Sequence, residues 1–216
     1  MNITIKSSWD EITWKEYEQI EQIIGADVPA DYKAVHLIAI LTGKTVDEIE
    51  DLPISQFKQL VSNIEFLYTE PKHRLHKMEY TINGRDYVFK GVVNEITTAQ
   101  YIDYRTYIQE DTIDVVKMFS CFLIPKGHEY NDGYDINQVM SDINDMCWLD
   151  VRAASFFFKI QYAAYILILK SSLLRTMKET KATKEQRKQV AQHLDNMVSC
   201  LLYSKSANTQ IPTLIL

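Results

Sequence analysis

KMEYTINGRDYVFK, residues 77–90, decides how the rest of the chain is read. Two segments of β-formers, KMEYTI and RDYVFK, flank Asn83-Gly84. Asn-Gly between alternating residues is the strongest short-range hairpin signal, because both central residues of the tight turn need positive φ. A β-hairpin is expected here. Two strands alone are marginal in water. The hairpin must therefore pack on a helix, pair with a short strand expected at Ile3–Ile5, or reach a partner chain.

Upstream, TWKE at Thr13–Glu16 has the form of a capping box, and a helix follows to about Ile24, ended by Gly25. VPADYKAVHLIAILTGK is dense enough in apolar residues to be buried, with Gly43 placed as a left-handed cap. Thr45 then caps the short acidic VDEIED turn. Pro53 opens ISQFKQLVSNIEFLY, where Phe57, Leu60, Val61, Ile64 and Leu67 recur at helical spacing. Downstream, Thr97 or Thr98 can cap TAQYIDYRTYIQ, and Thr112 can cap IDVVKMFSCFLI, an apolar helix stopping at Pro125. The glycine-rich FLIPKGHEYNDGYD (122–135) reads as a connection: Gly127 and Gly133 allow positive φ, and Asp135 with Gln138 resembles a capping box. Two long helices follow, Ile136 to Lys178 with a break near Cys147 or Asp150, and Lys184 to Tyr203, joined by ETKAT.

The expected fold is mainly α: helical bundles with one inserted β-hairpin and an extended C-terminal arm. Its divisions are an N-terminal helical lobe (1–71), the hairpin (72–96), a C-terminal helical lobe (97–204) and the arm (205–216). They make one compact unit with two lobes, or two small intimate domains. The 46% apolar and 24% charged composition is that of an ordinary globular protein. The longest apolar run of the C-terminal half, YAAYILIL (162–169), falls short of the roughly 20 residues of a membrane span. Neither a span nor a secretory signal is expected, and the three widely spaced cysteines, Cys121, Cys147 and Cys200, read as reduced thiols of a cytoplasmic product.

Chemistry-bearing constellations are sparse. His73 and His76, with His128 elsewhere, lack partners at metal-ligand spacing and lie in a basic segment that repels a cation. The EYNDGYD loop lacks the ligand order of a calcium loop. The cysteines lie in apolar stretches, and the six glycines never cluster into a phosphate-cradling loop. No catalytic residue, metal site or cofactor is expected, and the chain does not read as an enzyme.

Three surface features stand out instead. Tyr101, Tyr104 and Tyr107 recur on one side of a helix, with Tyr130 and Tyr134 in the next connection; such rings suit either the rim of a core or a protein interface. Between Lys159 and Val190 eight basic residues face two acidic ones, a net of +6, so the remainder of this −6 chain carries −12. Lys178, Lys181, Lys184, Arg187 and Lys188 form the expected basic face, which is either a solvated helix end or one half of a charge-matched contact. The tail ends in an apolar run, with Ile211, Leu214, Ile215 and Leu216 expected to pack on their own domain or on a neighbour. FFF at 156–158 cannot face one side of a helix, so at least one ring covers a second surface.

Two segments carry a resemblance. TTAQYIDYRTYIQEDTIDVVKMFSCFLIPKGHEYNDGYD (97–135) resembles a stretch of virion structural proteins from tailed phages of gut Bacteroidetes, the crAss-like group. The shared elements are a TxxQYID opening that ends at Asp103, an apolar helix and a proline-glycine-tyrosine loop. LTGKTVDEIEDLPISQFKQLVSNIEFL (41–67) is similar to the LTG-x-[ST]-x-[DE]-x-[VI] helix-turn-helix of phage tail-assembly chaperones. Together they span about a third of the chain. The resemblance implies a virion structural subunit, a head-to-tail connector or tail ring protein, repeated about the portal axis by heterologous contacts. Its partners would be further copies of itself, the portal and neighbouring ring or tail subunits, with a positive rim compatible with packaged DNA. Two alternatives are an assembly chaperone that is not retained in the virion and a bacterial cytoplasmic protein or enzyme. On the favoured reading the five tyrosines form one contact face, and the hairpin and arm reach neighbours.

Overall fold

The computed structural model describes residues 3–92, 95–107 and 114–203. The chain is mainly helical, with a small antiparallel sheet. In the N-terminal part α1 (Trp14–Gly25), α2 (Ala30–Thr42), α3 (Val46–Glu50) and α4 (Ile54–Asn63) follow one another at the expected places. Their boundaries are set by local chemistry. Thr13 and Thr45 each form a complete capping box, with Glu16 and Glu48, which satisfies backbone donors that the first helical turn leaves orphaned. Gly43 adopts φ +67° at the end of α2. The helical run after Pro53 tightens into a 3-10 turn at Glu65–Tyr68.

The hairpin forms as β1 (Glu79–Ile82) and β2 (Arg85–Phe89), with Asn83 at φ +50° and Gly84 at φ +74°. Tyr80 pairs with Tyr87, and the inward residues Tyr80, Ile82, Tyr87 and Phe89 are all buried. Its support differs from the expectation. Residues 3–7 form no strand; Lys6 N–H instead bonds the Leu41 carbonyl at 3.2 Å. The third strand is β3 (Leu123–Pro125), antiparallel to β2 with Val88 opposite Ile124. The apolar helix expected to reach Pro125 therefore stops early: α6 covers Val115–Ser120, after which the chain extends along the hairpin. The reason is the open row of β2 donors and acceptors. Pairing it satisfies groups that would otherwise face a dry interior, where Leu123 and Ile124 are fully buried. The hairpin is thus covered within the chain, on one edge by β3 and on one face by α7.

The remaining elements are α5 (Thr98–Tyr107), α7 (Ile136–Asp145), α8 (Trp148–Glu179) and α9 (Lys184–Tyr203). Thr97 caps α5, exchanging bonds with Gln100: Thr97 N–H donates to Oε1 at 2.8 Å and Gln100 N–H to Oγ1 at 3.2 Å. Asp114 caps α6, accepting from Lys117 N–H at 3.0 Å; Thr112, the expected cap, lies outside the described residues. Asp135 caps α7, accepting from Asn137 N–H at 2.9 Å. The long helix does break at Cys147, for a reason contained in the first residues of the chain. Trp14 N–H bonds the Met146 carbonyl at 2.8 Å and Trp148 N–H bonds the Ile12 carbonyl at 3.0 Å, so a short bridge joins the entry to α1 with the α7–α8 junction. Trp148 stacks on Tyr17 with centroids 4.2 Å apart and receives the edge of Trp9 at 5.1 Å. Through these rings the two helical blocks share one continuous hydrophobic core.

Candidate functional site

The expected tyrosine face turns inward. Tyr104 is only 6% exposed, and Tyr107, Tyr130 and Tyr134 pack against the core, while Tyr101 is half-buried. Tyr130 Oη donates to Asp103 Oδ2 at 2.6 Å, and Tyr104 lies 5.5 Å from the ring of the buried Phe122. Lys117 sits 6.0 Å from the Tyr107 ring. The physical reason lies in the composition of α5, where tyrosines supply most of the bulk available for burial. They act as fasteners, tying the 122–135 connection to α5. Gln100, 2% exposed, completes the clasp by donating Nε2 to the Cys121 carbonyl at 2.9 Å. Tyr104 is thus taken up within the chain, while Tyr101, Tyr107, Tyr130 and Tyr134 keep part of their surface in solvent. Gly127, Asn131 and Gly133 take positive φ and fold the connection over on itself.

The hairpin is locked to α7 by one buried carboxylate. Asp142 is 0% exposed and accepts from Arg85 Nε and Nη2, both at 2.7 Å, from Asn83 Nδ2 at 2.9 Å and from the Tyr87 hydroxyl. The Arg85 guanidinium, with Tyr87 and Asn83, holds this carboxyl well below the usual range against the opposing effect of burial.

Among the described residues the α8–α9 pair leaves many apolar side chains uncovered. Of its most apolar 18 residues only 12% are buried, and by length and composition α8 is long and apolar enough to cross a membrane. The uninterrupted apolar run understated this, because Lys159 and Lys170 divide a longer apolar helix. Phe156 (53% exposed), Ile160, Leu167, Ile168 (64%) and Leu173 all reach solvent, while Phe157 turns into the core. The two helices are joined midway by Lys170 Nζ to Asp195 Oδ1 at 2.5 Å. At the turn between them Lys178, Lys181, Lys184 and Lys188 are exposed and Arg187 is half-buried, so the expected basic face exists as one end of this pair. Ile211, Leu214, Ile215 and Leu216 lie outside the described residues.

A second positive region joins the basic segment around His73 to cations of α8, a meeting the sequence did not reveal. Where the segment leaving the N-terminal helices passes the start of α8, a cleft of about 80 Å³ is lined by Lys72, His73, Arg74, Arg152, Phe156 and Lys159 among others. Arg74 is engaged: Nη1 bonds Asp150 Oδ1 at 3.0 Å and Nη2 bonds Asp10. Arg152 lies 5.5 Å from the Trp148 ring, and its two terminal nitrogens are buried without a hydrogen-bond partner among the described residues. Burial pushes both Arg152 and Lys159 below their ordinary pKa values. The signal was split in the sequence between PKHR at 71–74 and two cations more than seventy residues later.

Other titratable groups serve the core. His76 is held between Phe89 and Phe157, each ring centroid 4.5 Å away, and burial lowers its pKa to about 4. The buried Cys121 thiol is pushed up to about 12 by burial. Among the described residues no group of three or more His, Cys, Asp or Glu is arranged to hold a metal ion. Compared with family models, curated proteins and solved structures, the chain matches none.

Proposed function

We propose that this chain is a structural subunit of a tailed-phage virion, a head-to-tail connector or tail ring protein repeated about the portal axis. The observation that carries the reading is the α8–α9 pair, whose apolar surface the described residues leave uncovered while its tip is strongly basic. Contiguous apolar surface of this kind marks an interaction site. An acidic protomer with a basic tip suits a heterologous contact, in which one surface meets a different surface of the next copy. The two sequence resemblances set the context: copies of itself, the portal and adjoining ring or tail subunits as partners, and the virion, assembled in a host cytoplasm, as location.

A protein partner suits α8 better than a bilayer does. Between Lys159 and Lys170 the charge-free stretch is ten residues, about 15 Å of helix at 1.5 Å per residue, half the roughly 30 Å hydrocarbon layer. The neighbouring α9 is polar along most of its length, and the Lys170–Asp195 ion pair sits midway along the α8–α9 contact. The same exposed face also fits a tail-assembly chaperone shielding a tail protein. That is the second reading, favoured by the chaperone-like segment 41–67.

Self-association tests the ring directly. Native mass spectrometry of the full chain over a concentration series should give closed oligomers, and Ile168→Asp should return monomers with an unchanged far-UV circular dichroism spectrum. A wild-type chain that stays monomeric at every concentration would argue for the chaperone.

A further inference from the structure

Beyond its contacts with other subunits, we propose that the cleft between residues 72–74 and the start of α8 is a binding site for a phosphate-class dianion. Five cations meet there or just beside it: Lys72, Arg74, Lys77, Arg152 and Lys159. Three carboxylates answer them. Asp10 and Asp150 are spent on Arg74, with Lys77 reaching Asp150 at 3.4 Å, and Glu70 acts on Arg152 only through space. Two positive charges are left over among the described residues. Lys72 and Lys159 have no ion-pair partner among the described residues, and the terminal Arg152 nitrogens have no hydrogen-bond partner there.

Unpaired cations held partly out of water are costly, and structures normally satisfy them with a counter-charge. The surplus here matches the charge of a phosphate group near neutral pH, about −1.5 to −2. A carboxylate would supply half of it. Size fits as well: a cavity needs only about 10–15 Å³ on this measure to hold one water, and 80 Å³ admits a small oxyanion. Arg152, with its planar guanidinium fixed over Trp148, contributes a preset charge. The exposed Lys72 and the half-buried Lys159 supply mobile ammonium donors. A helix terminus plays no part, and the basic tip at 178–188 is a separate surface at the far end of α8.

Inorganic phosphate is the probe. The full chain is titrated at pH 7.5 and constant ionic strength, with Trp148 fluorescence as reporter because Arg152 lies over its ring. A saturable change should appear with phosphate and not with chloride or acetate, and phosphate should raise the thermal midpoint. Lys159→Gln and Lys72→Gln should each weaken binding about tenfold, the usual loss for one charge-assisted hydrogen bond. Lys178→Gln, at the remote tip, should bind like wild type. A response that never saturates, an equal response to acetate, or unchanged affinity in both cleft variants would overturn the assignment. Lys72 is exposed, so its variant keeps the fold and the test stands even where Lys159→Gln does not.

Discussion

Replacing Asp142 by Asn should loosen the hairpin from α7 and cost the protein a large part of its stability. The side chain is isosteric, so the packing of Val139 and Ile143 around it is unchanged in volume. What changes is polarity. Five donor atoms, Arg85 Nε and Nη2, Asn83 Nδ2, the Tyr87 hydroxyl and, at 3.3 Å, Gln138 Nε2, converge on two carboxylate oxygens. An amide offers one acceptor oxygen and turns an NH₂ towards the remaining donors, so at least two charge-assisted bonds are lost, each of about 1.5–3 kcal/mol. Arg85, nearly half exposed, regains water and offsets part of this. The net loss is about 3 kcal/mol, at the lower end of what breaking a buried pair costs. Urea unfolding at pH 7 followed by circular dichroism measures it, and hydrogen exchange should show β1 and β2 amides losing protection first. The pH dependence carries a sign. A carboxyl whose folded pKa is depressed stabilises the fold above its unfolded value, about 3.9, and that stability is lost as pH falls towards the folded value. The gap between wild type and variant should therefore close below about pH 4. A loss under about 1 kcal/mol, or a gap that persists in acid, would refute the role given to Asp142.

Further perturbations probe separate elements. His76 stays neutral in the fold while the unfolded chain takes up a proton below about pH 6.5, so wild-type stability should decline between about pH 6.5 and 4; His76→Phe, whose ring fits between Phe89 and Phe157, should flatten that part of the profile, and an unchanged profile would count against it. Thr13→Ala removes the acceptor for Glu16 N–H and should cost about 1 kcal/mol in chemical unfolding, whereas no measurable loss would mean that the Ile12–Trp14 bridge alone fixes the start of α1. Cys121, with its thiol raised to about 12, should resist a thiol reagent at pH 7.5 in the folded protein; Cys121→Ser should leave the number of fast-reacting thiols the same, and a drop by one would contradict its burial.

Features set by a few adjacent residues were legible in the sequence. Asn83-Gly84, Thr13, Thr45 and Gly43 each fix a boundary through their own backbone or cap chemistry, and the structure places each where the sequence predicts. The break at Cys147 was legible as a place but not as a cause, because its partner residues, Ile12 and Trp14, lie more than 130 positions away. The short strand β3 was invisible for the same reason. Three residues carry no period, and their extended form follows from the open edge of β2. The tyrosine spacing revealed a helix face but not whether core or solvent lies beyond it. That depended on Phe122 and Asp103 arriving opposite Tyr104 and Tyr130. The cleft required Arg152 and Lys159 to meet residues 72–74, a purely tertiary event.

The central claim is that this chain is built into a virion, and the composition of purified particles tests it most directly. Quantitative mass spectrometry of particles from a tailed phage that encodes the chain should find it in a fixed ratio to the portal protein, at a copy number consistent with a ring. Absence from mature particles, with abundance in infected cells, would contradict the account and favour a chaperone that leaves before the virion is complete.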